Sequence, residues 1–160
     1  MTTASINELK KELSTLAPKE VMELCLRLAR FKKENKELLS YLLFESHNEL
    51  NYIETTKQFI SEAFKELNKS NLYLMKKSIR KILRNTNKFI KYAGSELVEV
   101  ELLLHFCITF RVAAIPLNKS IALANLYENV LKKLYKIIGG LHEDLQYDYQ
   151  KQLEKLNQKN

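Results

Sequence analysis

Seven cationic side chains, Lys76, Lys77, Arg80, Lys81, Arg84, Lys88 and Lys91, fall within SNLYLMKKSIRKILRNTNKFIKYAG, residues 70–94, a stretch without a single Asp or Glu. Ammonium and guanidinium groups gathered without counter-charge suit one kind of chemistry, the neutralisation of carboxylate or phosphate groups. With Lys69 included, residues 67–95 hold eight cations and no acid, in a chain of 26 Lys or Arg and 19 Asp or Glu. Outside that segment the count is 18 against 19, so the net charge of +7 arises in one element and its lead-in.

On a helical wheel Met75, Ile79, Ile82, Leu83, Thr86, Phe89, Ile90 and Ala93 fill an arc from about 320° to 80°, and the seven cations fill one from about 100° to 240°. One side is core and the other a cationic ridge. Its counter-charge is either internal or external. Internally, Glu96, Glu99 and Glu101 of the next helix could lie beside Lys88, Lys91 and Arg84 across a hairpin at Gly94, or Glu62 and Glu66 could serve from the preceding helix. Externally, the ridge could meet an acidic protein surface or nucleic acid. A membrane surface is not expected, because the core needs the apolar side of this helix. Base recognition requires aromatic or amide groups among the charges, and only Tyr73 and Asn87 stand there. No RRM, KH, zinc-finger or OB signature occurs.

The other chemistry-bearing residues are sparse. Glu101 and His105, at i and i+4, could pair as carboxylate and imidazole, with Arg111 beyond. The chain contains neither ExxH nor HExxH, no phosphate-cradling Gly loop and no nucleophile elbow, so neither a metal nor a cofactor is expected, nor an enzyme. Cys25 and Cys107 stand singly among apolar neighbours and read as small core residues in a reducing compartment. His47 and His142 read as cap or loop residues. HEDLQYDYQ, residues 142–150, gathers three acids and two tyrosines; it could be a partner surface, although Tyr149 at helical spacing from Leu145 reads as core.

Helices must position these groups. Three Gly and two Pro in 160 residues leave too few turn formers for an all-β chain. Ser5 and Glu8 form a capping box that opens a first helix near Ile6. Pro18 opens a second, with Val21, Leu24, Cys25, Leu28 and Phe31 inward. A third begins around Asn35, and Ser46-His47-Asn48 caps a fourth that reaches Asn68. The basic helix runs from Ser70 to about Tyr92 and is closed by Gly94. Ser95 opens a sixth that ends at Pro116, apolar on opposite sides and therefore central. Asn118 or Ser120 opens a seventh, stopped by Gly139-Gly140, and an eighth runs from about His142 to Leu156. The expectation is one all-α domain over 1–160, of seven or eight antiparallel helices, as a multi-helix bundle or a short HEAT-like stack of hairpins without a detectable repeat. The longest apolar stretch, residues 97–117, holds Glu99, Glu101, His105 and Arg111 and is a poor membrane span. MTTASINELKKEL has no apolar secretory run.

FKKENKELLSYLLFES, SNLYLMKKSIRKILR, EVELLLHFC and LHEDLQYDY resemble segments of an uncharacterised family of small bacterial all-helical proteins, a resemblance spanning residues 31–156. It implies a bacterial, cytoplasmic protein and no particular activity. The residues themselves lead to a non-catalytic helical binding or scaffold module that presents its cationic helix to an acidic protein. The alternative is a nucleic-acid-binding protein that contacts phosphates through the same helix.

Overall fold

The computed structural model describes residues 3–158, which are all-α. Eight α-helices follow one another: α1 (Ile6–Thr15), α2 (Pro18–Phe31), α3 (Lys33–Phe44), α4 (Glu49–Lys65), α5 (Leu72–Ala93), α6 (Glu96–Val112), α7 (Ile121–Ile138) and α8 (Glu143–Gln158), with a 3-10 turn at Leu117–Lys119. Local chemistry sets their starts. The Ser5 hydroxyl accepts from the Glu8 N–H while the Ser5 N–H donates to Glu8 Oε2 at 2.7 Å. The side chains of Asn48, Asn71, Ser95 and Ser120 accept from the third residue of α4, α5, α6 and α7 respectively. Of the two residues expected to open α7, Ser120 does so. None of the described helices is long and apolar enough to cross a membrane.

The described chain divides after residue 44 into two compact units. In the first, α2 and α3 pack on one another. They are joined by Lys32 alone, in an extended conformation (φ −142°, ψ 147°), and the Asn35 amide donates to the Leu28 carbonyl at 2.9 Å across the joint. Neither α1 nor α2 has a buried residue. The expected inward side of α2 is therefore open: Leu24, Leu28 and Phe31 are exposed, and Cys25, expected in a core, is exposed too. A two-helix hairpin supplies each helix with one neighbour, too few to cover an apolar arc wider than 100°.

In the second unit α6 is central and packs against α4, α5, α7 and α8. Its buried residues include Val98 and Leu102 on one side and Val100, Leu104 and Cys107 on the opposite one, so no broad polar face remains. Aromatic rings tie the neighbours together: Phe64 of α4 meets Phe106 edge-on at 5.3 Å between centroids, and Phe110 meets Tyr127 of α7 at 4.9 Å. The Tyr52 hydroxyl of α4 donates to the Phe89 carbonyl of α5 at 3.0 Å. Within α5, Met75, Ile79, Ile82, Thr86 and Ile90 are buried, the apolar arc read from the sequence.

Candidate binding face on helix α5

α5 holds its cations outward because its apolar arc is committed to α4 and α6. Lys77, Arg80, Lys81, Arg84 and Lys91 are exposed, and Lys76 and Lys88 are half-buried. Lys69, in the lead-in, is structural: its ammonium donates to the Ala113 carbonyl at the end of α6, at 2.8 Å. Lys88 lies over the rings of Phe89 and Tyr92, 5.4 and 5.9 Å from their centroids.

Of the carboxylates expected to neutralise the ridge, Glu99 and Glu101 are used elsewhere. Glu99 pairs with Lys133 of α7 at 2.5 Å, and Glu101 pairs with Lys57 of α4 at 2.7 Å. Glu62 and Glu66 share a groove with Lys81, between α4 and α5, without an ion pair. Among the described residues, no carboxylate lies within ion-pair distance of Lys76, Lys77, Arg80, Lys81, Arg84 or Lys91. Five of these cations, Lys91 being the exception, line one groove of about 380 Å³ together with Tyr73, whose ring is 69% exposed.

A larger cleft of about 890 Å³ opens beside the ridge, between α5 and α7. Its floor is apolar, made by Leu83 and Ile90 of α5, Leu103 of α6, and Leu126 and Val130 of α7. Arg80, Asn87 and Lys91 border it from α5, Asn125, Asn129 and Lys133 from α7, and Glu99 from α6, its carboxylate paired with Lys133. Arg80 belongs to both the cleft and the groove. Sequence reading missed the α7 border. Its signal was present, since Asn125, Asn129 and Lys133 recur every fourth residue and form a polar stripe along one side of α7.

Glu101 and His105, which could have paired, take separate partners. The Tyr149 hydroxyl donates to Glu101 Oε1 at 2.5 Å and the Lys57 ammonium takes Oε2, while His105 Nε2 is 2.8 Å from the Ser61 hydroxyl. Burial lowers the imidazole pKa, helped by the Lys57 charge, so the ring is held neutral. Tyr149, read as core, is buried, and its phenol is shifted upward by burial and by the Glu101 carboxylate. Burial pushes the Cys107 thiol up to about 12, which leaves it unreactive. Among the described residues, no group of three or more His, Cys, Asp or Glu is placed to hold a metal ion. Compared with models of protein families, with curated proteins and with solved structures, the chain matches none.

Proposed function

We propose that this chain is a non-catalytic helical binding module whose α5 face and adjoining cleft receive an acidic segment of a partner protein. The observation that carries this reading is the set of six α5 cations without a carboxylate at ion-pair distance among the described residues, while Glu99 and Glu101 serve Lys133 and Lys57. Lys76, Arg80 and Arg84 follow at four-residue spacing, and each such like-charge contact costs a few tenths of a kcal/mol. An external anion relieves that repulsion. The cleft adds a reason to prefer a protein: its apolar floor suits the apolar side of an amphipathic helix, whose carboxylates would then fall beside Arg80 and Lys91. The resemblance of its segments to small bacterial helical proteins supports a cytoplasmic setting.

One observation favours nucleic acid as a second reading. The exposed ring of Tyr73 stands among five cations, where an unpaired base could stack on it, a contact worth ~1–3 kcal/mol per base. Fluorescence titrations with poly-glutamate and with single-stranded RNA, at low and at physiological salt, test both. Poly-glutamate is expected to bind at low salt, to weaken several-fold at physiological salt, and to be lost in the Arg80→Glu, Arg84→Glu double variant. No binding by the wild-type chain at low salt would end both readings. A Tyr73→Ala variant that loses RNA affinity but keeps poly-glutamate affinity would move the assignment to nucleic acid.

A further inference from the structure

The Leu24, Leu28 and Phe31 side of α2 stays exposed although α3 packs on this helix. α1 and α2 bury no residue and leave eight large apolar side chains exposed, Leu28 at 62% and Phe31 at 77% among them. Met22 and Leu26 lie on the far side of α2, but at ~100 Å² for each half-exposed side chain Leu24, Leu28 and Phe31 present on the order of 300 Å² together, the scale of patch that marks an interaction site. Leu24, Leu28 and Phe31, at i, i+4 and i+7, form its continuous stripe along α2.

The charges beside that stripe identify the occupant. Glu20, Glu23, Arg27 and Arg30 lie on the same flank of Leu24, Leu28 and Phe31, between about 240° and 320° on a wheel with Leu24 at zero. The acids occupy the first half of the helix and the arginines the second. A two-fold axis perpendicular to two antiparallel helices keeps each flank on its own side while reversing its direction. Centred at Cys25, such an axis sets Glu23 opposite Arg27 of a second copy and Glu20 opposite its Arg30, twice over. The pattern is thus complementary to itself in the antiparallel sense; in a two-fold parallel pairing the charged flank would face the other flank of the second copy, with Val21 and Cys25, and these charges would not meet. Residues 3–44 carry eight cations and six acids, so their near-neutral charge presents little repulsion to a second copy.

From the exposed stripe and the charge order beside it, we infer that α2 pairs antiparallel with α2 of a second copy of this chain, through Leu24, Leu28 and Phe31, making a two-fold symmetric dimer. The inference stands independently of the binding role of α5.

Sedimentation equilibrium of the full chain, over a range of concentrations, tests it. The expected result is a reversible monomer–dimer equilibrium that is abolished in Leu28→Glu, with helicity by circular dichroism unchanged. Glu23→Arg sets arginine against arginine at both symmetric contacts and should weaken the dimer about tenfold, and adding Arg27→Glu should restore it. A wild-type chain that stays monomeric throughout would overturn the inference. So would a dimer indifferent to Leu28→Glu, or a Glu23→Arg defect that Arg27→Glu does not repair. A monomer whose melting temperature falls in Leu28→Glu would assign the stripe to a contact within the chain, which equally overturns it.

Discussion

At Glu101 three helices meet through one carboxylate, with Lys57 of α4 on one oxygen and Tyr149 of α8 on the other. Burial pushes this carboxyl up, and the hydrogen bonds from Lys57 and Tyr149 outweigh it, leaving its pKa below the ordinary 4.5. For Lys57 burial acts downward, and the bonds to Glu101 and Glu54 raise the ammonium above its ordinary 10.5. A lowered carboxyl contributes stability that is present above its ordinary pKa and lost as pH falls through its folded value. A raised ammonium contributes stability that is present below its ordinary pKa and lost as pH rises through its folded value. Both are therefore in force at neutral pH. His105, lowered by burial and by the Lys57 charge, adds a contribution present above its ordinary 6.5 and lost as the medium is acidified through its folded value. Glu101→Gln keeps the side-chain shape and leaves Lys57 with Glu54 alone. Because the pair is partly solvated, the expected loss at pH 7 is about 1–2 kcal/mol by urea unfolding. It should shrink as pH falls through the carboxylate range, since the wild-type group then also becomes neutral. A difference that stays constant from neutral pH into strong acid would refute this account of the network.

Helix exits show how backbone geometry follows from residue type at the next scale up. α5 stops at Gly94 with φ 63°, the left-handed cap that glycine adopts without a Cβ penalty, and its N–H donates to the Ile90 carbonyl. Space is not the constraint there, since a Cβ built on Gly94 would meet nothing within 4 Å. Gly94→Ala should therefore cost about 1 kcal/mol from backbone strain alone. Ala114, just after α6, holds φ 51° without being glycine, so Ala114→Gly should move stability upward by about 0.5 kcal/mol. Thermal melts of the two variants test the pair of opposite signs, and shifts in the same direction would contradict it. What the sequence disclosed follows the same line. Caps and breakers are local, so Ser5, Pro18, Asn48, Ser95, Ser120 and the Gly94 end of α5 were legible in residue types, whereas α5 starts at Leu72 under an Asn71 cap rather than at Ser70. The break between α2 and α3 was not, because Lys32 turns the chain by extended dihedrals with no Gly or Pro to mark it, and α3 starts at Lys33 rather than near Asn35. Helical period told which side of α5 was apolar and which cationic. It could not tell that Glu99 and Glu101 turn to Lys133 and Lys57, because ion pairs depend on which helices become neighbours. The same limit hid the exposure of α2: an apolar stripe states a need for cover without naming what supplies it.

Across the whole molecule, burial is unevenly shared. Of the 27 buried apolar residues among those described, 26 lie beyond residue 44, and Tyr41 is the exception. The second unit surrounds α6 with four helices and carries the ring contacts of Phe64, Phe106, Phe110 and Tyr127, whereas α1–α3 offer a hairpin and one further helix. A fragment of residues 45–160 should therefore unfold as one cooperative transition, with a midpoint within a few degrees of that of the full chain, because the core that sets the unfolding enthalpy is retained. Cooperativity follows from close packing, so the near-ultraviolet dichroism of its buried tyrosines, Tyr52, Tyr127 and Tyr149, should persist as well. Loss of that signal with helicity retained would mean that residues before 45 complete the core, and would contradict this division of labour. The fragment also separates the two proposed surfaces. α5, the cleft and Lys133 all lie within it, so poly-glutamate binding should survive truncation, while α2 is gone and dimerisation should vanish. A fragment that still dimerises would place self-association on the α4–α8 unit. One that loses poly-glutamate binding while folded would show that the cationic face works only with the first three helices present.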